Sequence, residues 1–364
     1  MRLLVVNAGS SSLKLSVLDE HDRLLGSEVL AAPGGQVDQA ALKDVIAHHS
    51  PIDAVGHRIV HGGTEFTGPV LVDARVVRRL EALSDLAPLH QPKSLRGLQV
   101  VSRMLPNVPA VACFDTAFHA AMPAAAATLP LPAAWRERWG LRRFGFHGLS
   151  HAYVSRRAAE LTGGDAAELR LVSCHLGAGA SLAAVRGGRS VDTTMSFTPL
   201  DGLVMATRSG SVDPGLVLWL QTHAGIPAAE LSDALEHSSG LYALAGTGDM
   251  RQILDRAAAG DARADLAIEV YLHRLAGQVA AMAAALGGLD ALVFTGGVGE
   301  NAAEVRSRAA ARLGFLGVRL DTERNAAGSG DRDIGAPGAP VRSLRIAARE
   351  DLEIARQVRT VLRG

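Results

Sequence analysis

The first nineteen residues, MRLLVVNAGSSSLKLSVLD, constrain the fold of this chain more than any other stretch. Residues 1–6 are an apolar run with the length of a buried strand, residues 8–12 are a Gly/Ser turn, and residues 13–18 are apolar again. Such a turn between two strands can bind phosphate when its backbone N–H groups converge on one point. The order excludes a Rossmann or P-loop start, because both run from a strand into a helix. Taken alone, an ordinary hairpin with a flexible turn explains these residues equally well.

The composition indicates a soluble globular protein of two domains. A chain of 364 residues is too long for one compact core, and 48% apolar with 20% charged residues is not the composition of a disordered chain. The 37 basic and 37 acidic residues balance, which argues against a nucleic-acid partner and against a polybasic membrane surface. Cys113 and Cys174 both lie in apolar, strand-like runs, so we expect no disulfide framework and a reducing cytoplasm.

The N-terminus does not have the pattern of a signal peptide. Arg2 is followed directly by the first strand pattern and a polar turn, without a cleavage site. The longest weakly charged stretch, residues 116–135, is interrupted by Pro123, Pro130 and Pro132, whereas a membrane helix needs roughly 20 unbroken apolar residues. We therefore expect a cytoplasmic protein with no membrane partner.

The opening pattern recurs in the second half of the chain. Residues 169–175 form a strand pattern, HLGAGAS a small-residue turn, and residues 182–186 a second strand pattern, after which a Gly-Gly pair leads into residues 189–194. Helical patterns follow both copies, so the sequence predicts a duplicated α/β plan with a ligand-binding cleft between the domains. The remaining patterns predict helices over 39–49, 75–83, 92–105, 150–161, 214–223, 227–236, 265–286 and 349–362, strands over 23–30, 52–60, 108–114, 289–295 and 341–347, and a loop over 325–340.

Three small-residue turns, NAGSSSLK, HLGAGAS and FTGGVGEN, each follow a predicted strand. Together they indicate a nucleotide whose phosphates are held by backbone amides from two domains. The chain also resembles the acetate kinases, within the actin-like ATPase and sugar kinase superfamily, along its whole length. The resemblance is carried by NAGSSSLK, GHRIVHGG, APLHQP, FDTAFH, RRFGFHGLSH, HLGAGAS, residues 195–214, TGDMR, FTGGVGEN and EDLEIAR.

This resemblance implies a fold and a reaction. The fold is α/β, with two duplicated actin-like ATPase (ribonuclease H-like) domains and an interdomain cleft. Residues 1–118 plus 348–364 would form the acyl and metal side, and residues 119–347 the nucleotide side. The implied reaction is a Mg²⁺-dependent, reversible, direct in-line phosphoryl transfer from ATP to acetate that gives acetyl phosphate and ADP, in a homodimer. Mn²⁺ is an alternative metal.

Transfer of a phosphoryl group to a carboxylate brings two anions together, so catalysis is mainly positioning and charge neutralisation. Arg58 and Arg208 are candidates because a guanidinium can bind carboxylate or phosphate oxygens bidentately. The resemblance implies that Arg58 binds the substrate carboxylate or phosphate and that Arg208 stabilises the transition state. It further implies that His147 contacts the transferring phosphoryl group and that His90 lines the active site.

Asp115 follows a strand pattern, at a position suited to the edge of a cleft. The resemblance implies a catalytic role, often described as proton donor or acceptor. Acetate, however, has a carboxyl pKa near ~4–5 and needs no base at neutral pH. We therefore expect Asp115 to orient Mg²⁺, its waters or Arg208.

The resemblance also implies a metal site and a nucleotide site. Asn7 and Glu350 would be the magnesium residues, and an amide oxygen with one carboxylate matches the way Mg²⁺ is usually bound. Lys14, at the end of the first turn, would bind nucleotide phosphate. The other implied nucleotide-binding residues are His175, Leu176, Gly177, Ala178, Gly179, Asp249, Met250, Arg251, Gly297, Val298, Gly299, Glu300 and Asn301.

Acyl size would be set by a small apolar pocket at Val60, Leu89, Phe146 and Pro199, which leaves room for about a methyl group. This favours acetate, but one methylene is worth only roughly 1–3 kcal/mol, so a propionate or other short-chain acyl kinase stays open. Two further alternatives are a catalytically inactive nucleotide-binding relative and pyrophosphate as donor. Retention of the proposed catalytic groups disfavours the first, and the intact GGVGEN turn disfavours the second.

Three positions depart from the family pattern. HLGAGAS has Ala178 where we expect Asn, so this turn lacks an amide side chain that could donate to a phosphate oxygen. Arg349 adds a positive charge beside Glu350, and Ser211 stands where an aspartate is usual. None of these changes removes a proposed catalytic group.

Overall fold

The computed structural model describes residues 1–9, 12–32, 38–88, 90–163 and 165–364, and these divide into two compact units. The first unit contains Met1–Ala120, Phe146–Tyr153 and Arg349–Gly364, and the second contains Ala121–Gly145 and Val154–Ala348. The expected domain boundaries stay a prediction, and these units differ from them chiefly because residues 146–153 belong to the first unit.

The described part of the first unit contains a six-stranded mixed sheet in the order β3-β2-β1-β4-β6-β5. β1, β2 and β3 form an antiparallel meander, β1, β4 and β6 run parallel, and β5 pairs antiparallel at the edge. The opening hairpin predicted from the sequence is the β1–β2 pair. The strands are β1 (Leu3–Ala8), β2 (Ser12–Leu18), β3 (Leu24–Ala31), β4 (Ala54–Ile59), β5 (Val70–Leu71) and β6 (Ala110–Phe114).

The second unit repeats this topology. Its described sheet has the order β11-β12-β10-β7-β8-β9, with an antiparallel meander β7-β8-β9, parallel strands β7, β10 and β12, and β11 antiparallel at the edge. The strand-turn-strand repeat seen in the sequence is therefore one part of a six-strand duplication. The strands are β7 (Arg170–Leu176), β8 (Ala180–Arg186), β9 (Arg189–Thr193), β10 (Ala291–Thr295), β11 (Arg332–Asp333) and β12 (Arg342–Arg345).

Helices connect and cover the strands of both sheets. No helix among the described residues is both long enough and apolar enough to span a membrane. The helices are α1 (Gln39–His48), α2 (Ala74–Ala82), α3 (Gln91–Met104), α4 (Ala124–Ala127), α5 (Ala133–Trp139), α6 (Gly148–Thr162), α7 (Pro214–Thr222), α8 (Ala228–His237), α9 (Gly240–Ala245), α10 (Met250–Ala258), α11 (Ala262–Leu286), α12 (Gly296–Asn301), α13 (Ala303–Arg312), α14 (Thr322–Ala326) and α15 (Glu350–Arg363).

Strand alternation gives the first sheet two apolar faces. Leu3 and Val5 pack with α15, whereas Leu4 and Val6 pack with α1 and α3. Both faces are buried, which explains why β1 reads as a continuous apolar run. Gly56 on β4 permits the close approach of α15, because a Cβ there would lie 2.4 Å from Cγ2 of Ile354.

Candidate active site

Polar side chains replace apolar ones where the parallel strands of the first sheet end. Asn7 lies on β1, two residues after the apolar Val5, and Arg58 lies on β4, two residues after Gly56. Asp115 immediately follows β6 and comes two residues after Cys113. Because side chains alternate along a strand, all three positions lie on the face covered by α15. α15 begins at Glu350, so its first side chain reaches the same edge. We call Asn7, Arg58, Asp115 and Glu350 the Arg58 cluster.

Arg58 is the centre of this cluster. Its Nε donates to Oδ1 of Asp115 at 3.0 Å, its Nη2 donates to Oδ2 at 2.6 Å, and its Nη1 donates to Oδ1 of Asn7 at 3.0 Å. The amide Nδ2 of Asn7 donates to Oε2 of Glu350 at 3.0 Å, and that oxygen is 3.8 Å from Nε of Arg58. The geometry is a bidentate guanidinium–carboxylate pair linked through an amide to a second carboxylate.

Burial determines the electrostatics of the cluster. The Asp115 side chain is 1% exposed and that of Arg58 is 18% exposed. Burial acts to lower the pKa of Arg58, but the charges of Asp115 and Glu350 outweigh it and raise that pKa. Burial raises the pKa of Asp115 from its ordinary value, with Arg58 opposing the rise and Glu350 adding to it. Because the guanidinium contacts both carboxylate oxygens, we treat Arg58 and Asp115 as an ion pair.

The cluster offers the chemistry that a hard divalent cation requires. Its formal charge is −1, from two carboxylates and one guanidinium, and its possible ligands are oxygens from Asn7, Asp115 and Glu350. The described residues contain no group of three or more His, Cys, Asp or Glu side chains arranged to hold a metal. Mg²⁺ commonly takes only one or two protein carboxylates, while water and phosphate supply its other ligands.

Lys14 is brought to the cluster by strand register. It lies directly opposite Asn7 in the β1–β2 pair and is exposed. Directly opposite residues of an antiparallel pair project from the same face, with Cβ atoms about 5 Å apart. Asn7, the predicted metal residue, and Lys14, the predicted phosphate residue, are therefore neighbours on one face of the β1–β2 pair.

His147 is held against the backbone of Asp115 in a strained conformation. Its φ is +54°, in the left-handed region, which is unusual for a residue with a side chain. The N–H of the next residue, Gly148, donates to the Asp115 carbonyl at 2.9 Å. A Cβ on Gly148 would lie 2.1 Å from that oxygen, so only glycine permits the contact. Residues 115 and 147 are thus neighbours although 32 positions separate them.

The predicted acyl residues are distributed over both units. In the first unit Val60 is 8% exposed, Phe146 is 2% exposed and makes an edge contact with the ring of His61, and His90 immediately precedes α3. Pro199 belongs to the second unit and is buried. Leu89 lies outside the described residues.

In the second unit the small-residue turn of HLGAGAS meets the start of α12, the GGVGEN segment, where β7 and β10 end side by side. The segment predicted as a Gly turn is therefore a short helix. A Cβ on Gly177 would lie 3.4 Å from the Gly179 carbonyl and 3.9 Å from the Gly297 nitrogen. Gly296 has φ +77°, and a Cβ there would lie 2.8 Å from the Leu176 carbonyl. At Gly296 the positive φ and the close approach to the Leu176 carbonyl require glycine. Ala178 and Gly297 are exposed, and Leu176 and Gly299 are buried.

Other predicted nucleotide residues make contacts within this unit. Glu300 accepts from the N–H groups of Gly296 at 3.1 Å and Ala348 at 2.9 Å, and Asn301 donates to the Gly297 carbonyl. These contacts fix α12, the GGVGEN segment. Asp249 caps α10, because its side chain accepts the N–H of Arg251. Met250 is buried and Arg251 is exposed. Val298 and His175, in the other two predicted nucleotide segments, are half-buried.

Arg208 lies in a loop that is tied to the second turn. The N–H of Ala206 donates to the Ala178 carbonyl at 3.1 Å, and Nη1 of Arg208 donates to the Pro199 carbonyl at 2.7 Å. Burial lowers the pKa of Arg208, and Glu236 opposes that change. Gly240 supports the loop, because its Cβ would lie 2.2 Å from the Met205 carbonyl.

Comparison with known proteins decides the family. The family model described as "Acetokinase family" matches residues 36–356. The chain belongs to the acetokinase family. It is 45% identical over 404 residues to the acetate kinase of Synechococcus sp. (strain JA-2-3B'a(2-13)), with all of both chains covered. It is 45% identical over 386 residues to the acetate kinase of Leifsonia xyli subsp. xyli, covering 98% of this chain and 97% of that protein.

Solved structures of the family have the same fold. The acetate kinase of Porphyromonas gingivalis is 35% identical and superposes with a TM-score of 0.90, with 99% of each chain covered. A propionate kinase from Francisella tularensis subsp. tularensis SCHU S4 is 36% identical, again with a TM-score of 0.90 and 98% of each chain covered. The predicted family, α/β class, duplicated actin-like domains and phosphotransferase activity toward a carboxyl acceptor are thereby confirmed.

The structure accounts for how this acetokinase accommodates its three departures. Ala178 contributes its carbonyl to the Arg208 loop, a role that needs no side chain. Arg349 is paired with Asp351 at 2.8 Å, so its charge is compensated beside Glu350. The Ser211 hydroxyl donates to Oδ1 of Asp201 at 2.5 Å, which links the two ends of its own loop.

Sequence reasoning missed two residues that fix His147. The N–H of Gly148 donates to the Asp115 carbonyl. Nε2 of His119 is 3.1 Å from the carbonyl oxygen of Phe146. Both belong to motifs that were recognised, FDTAFH and GFHG, in which only the aspartate and one histidine drew attention. The glycine directly after His147 and the histidine of FDTAFH were the available signals.

Proposed function

We propose that this member of the acetokinase family transfers the γ-phosphoryl group of ATP to acetate, reversibly and directly in line, to give acetyl phosphate and ADP. The observation that supports this most is the Arg58 cluster, in which a bidentate arginine pair, an amide and a second carboxylate end the parallel strands. A carboxylate oxygen attacks the γ-phosphorus while the bond to the β–γ bridging oxygen breaks and its electron pair leaves on ADP. No proton has to move.

Each site residue that we assign in the first unit has a role in this reaction. Arg58 binds the acyl carboxylate or the phosphoryl group with the N–H groups not engaged by Asp115, and Asp115 fixes the plane of that guanidinium. His147 contacts the transferring phosphoryl group. Val60, Leu89 and Phe146 limit the acyl group, and Pro199 is the residue that we assign to the same role from the second unit. His90 is assigned to the substrate site as well. This assignment gives Asp115 an orienting role and not that of a general base.

Asn7 and Glu350 would hold Mg²⁺, with Mn²⁺ as an alternative, and Asp115 would orient its waters. Bound at this place, the metal would neutralise charge on the β- and γ-phosphate oxygens. Lys14, opposite Asn7, would add a further positive charge for the phosphates.

The second unit would bind the nucleotide. The exposed residues Ala178 and Gly297 offer backbone N–H groups for phosphate, and Arg208 stabilises the planar phosphoryl group in the transition state. The TGDMR motif would contact the nucleoside. Because several of the assigned side chains are buried or bonded internally, we assign Leu176, Gly299, Met250 and Glu300 a role in shaping the pocket.

Propionate is the second candidate acyl substrate. The structural match to a propionate kinase, with a TM-score of 0.90 at 36% identity, equals the match to an acetate kinase. Val60 favours acetate, because a smaller residue at that position would leave room for a longer acyl group.

We further propose a cytoplasmic homodimer. The free, buried Cys113 and Cys174 suit a reducing compartment. α7 has no buried residue, and Leu216, Leu218 and Trp219 on it are about half exposed, which suits a surface covered by a second copy. Equilibrium sedimentation of the chain and of Trp219→Asp would test this, with dimer expected for the first and monomer for the second.

The deciding experiment is a hydroxamate assay of the purified chain. Acetate, propionate and butyrate would be combined with ATP, GTP and pyrophosphate, with and without Mg²⁺. We expect acyl phosphate from ATP, with kcat/KM highest for acetate. Absence of acyl phosphate with every pair would reject the kinase in favour of a catalytically inactive nucleotide-binding relative.

A further inference from the structure

His119 lies at the end of the short turn that follows Asp115, and its side chain is completely buried. Its Nε2 is 3.1 Å from the carbonyl oxygen of Phe146. A carbonyl can only accept, so Nε2 carries the proton and donates it. The histidine of FDTAFH is thus bonded to the residue immediately before His147.

A second hydrogen bond joins the same two segments on the other side of His147. The N–H of Gly148 donates to the carbonyl of Asp115 at 2.9 Å. Residues 146 and 148 are therefore both anchored to the segment 115–119, and His147 is the single residue between the anchors. Its left-handed φ of +54° is the kind of strained conformation that persists only where surrounding contacts over-determine it.

We propose that His119 is a positioning residue, which holds the strained backbone at His147 through the Phe146 carbonyl and so fixes the direction of the His147 imidazole beside Asp115. The inference rests on the proposed role of His147 at the phosphoryl group. Without the His119 bond, the backbone around His147 loses one of its two hydrogen bonds to the segment 115–119 and can relax toward an ordinary φ.

The protonation state of His119 suits a permanent donor. Burial lowers the pKa of His119 to about 4, against the smaller opposing effect of its bond to Phe146. The imidazole is therefore neutral near pH 7, with one proton, and the contact with Phe146 places that proton on Nε2. The ring also makes an edge contact with the buried ring of His151, at 5.7 Å between centroids, which restricts its rotation.

The kinetic test compares two substitutions. His119→Gln keeps an N–H close to the position of Nε2, whereas His119→Leu fills the site without a donor. We expect His119→Leu to lose roughly 10- to 100-fold in kcat with KM for ATP changed less than about twofold, because the chemistry and not the nucleotide site is disturbed. We expect His119→Gln to recover most of that loss. Equal kcat for His119→Leu and the parent chain, or an equal loss in both variants, would overturn the proposal.

His57→Leu is the matched control. His57 is also a completely buried histidine of the first unit, but among the described residues its Nε2 has no hydrogen-bond partner. Its position on β4 puts it on the sheet face opposite Arg58. Removal of a buried imidazole as such would lower kcat in both leucine variants, whereas the proposal expects the loss only at position 119.

A spectroscopic measurement keeps the inference testable if His119→Leu does not fold. Long-range ¹H–¹⁵N correlation on the histidine-labelled parent chain, assigned with His119→Gln, reports which ring nitrogen carries the proton. We expect the Nε2–H tautomer, and an Nδ1–H tautomer would overturn the proposal. Failure of the proposed function has a different signature, since the parent chain would then make no acyl phosphate while this tautomer remained.

Discussion

The carboxylate of Asp115 accepts two N–H groups of Arg58, at 3.0 Å from Nε and 2.6 Å from Nη2, while its backbone carbonyl accepts the N–H of Gly148. One residue therefore fixes the plane of an arginine with its side chain and the position of His147 with its main chain. This double use explains how residues from three separate parts of the sequence reach one place at the edge of the first sheet.

Asp115→Asn is expected to reduce kcat roughly 100-fold or more, because the guanidinium loses the charge that fixes its orientation. Removal of one partner of a buried pair should also destabilise the first unit by about 3–5 kcal/mol. The control is Asp290→Asn, which breaks a bidentate pair with Arg170 in the second unit. This pair lies where β7 and β10 begin, away from the turns that follow these strands. Steady-state kinetics should show unchanged kcat for the control. A similar loss in both variants would mean that any arginine pair matters equally.

Gly240→Ala is expected to lower kcat by displacing the loop that carries Arg208. The residue has φ +62°, and its Cβ would lie 2.2 Å from the Met205 carbonyl and 2.6 Å from that of Arg208. Gly246→Ala is a close control, since Gly246 also has a positive φ, +76°, but has nothing within 4 Å of its Cβ position. Both variants strain the backbone, but only the first should lower kcat, as removal of the guanidinium in Arg208→Ala is expected to do. Equal kcat values in the two glycine variants would contradict the support role.

Acidification should destabilise the first unit before its carboxylates are protonated. Burial lowers the pKa of His57 to about 3 and those of His61 and His119 to about 4, below the ordinary 6.5. The unfolded chain therefore binds more protons as pH falls below 6.5, and unfolding becomes easier. Each of these histidines therefore lowers the free energy of unfolding by about 1.4 kcal/mol for each unit by which the pH falls between 6 and 5.

Hydrogen exchange of the amides in β1 and β4, measured between pH 5 and 7.5 with correction for intrinsic rates, would give this dependence directly. His119→Gln removes one of these histidines. It should therefore reduce the slope of the opening free energy against pH by about 1.4 kcal/mol per pH unit. A flat opening free energy between pH 5 and 6.5 would show that these histidines are protonated in the folded chain.

Much of the fold could be predicted because strands buried on both faces read as unbroken apolar runs. The predicted strand over 289–295 contains β10 (Ala291–Thr295), and the predicted repeat contains β7, β8 and β9. The loop predicted over 325–340 was wrong in part, because β11 lies within it and α14 ends there. β11 has two residues and exists through its pairing with β12, so no local pattern marks it. α10 was missed because its first residues were interpreted only as a nucleotide motif, whereas Asp249 also caps the helix.

The site could be predicted as a set of residues but not as a geometry. Motifs named Asn7, Arg58, Asp115 and Glu350, and strand alternation could have placed the first three on one face. What the sequence could not contain is the pairing between positions far apart, such as His119 with Phe146 or Glu300 with Ala348. These contacts depend on how the sheet brings loops together, and they determine which predicted residues remain available to a ligand.

Val60→Ala should increase the ratio of kcat/KM for propionate to that for acetate by about tenfold. Val60 follows β4 directly and is 8% exposed. The substitution removes two methyl groups from the proposed acyl pocket and leaves space for the extra methylene of propionate. Binding of one methylene in an apolar pocket contributes roughly 1–3 kcal/mol. Val55→Ala removes the same two methyl groups from a valine on β4 itself, on the face that packs with α1 and α3. Both variants should lose stability through the cavity, but only Val60→Ala should change the substrate ratio in the hydroxamate assay. An unchanged ratio in Val60→Ala would remove Val60 from the acyl pocket and leave Phe146 and Pro199 to determine acyl size.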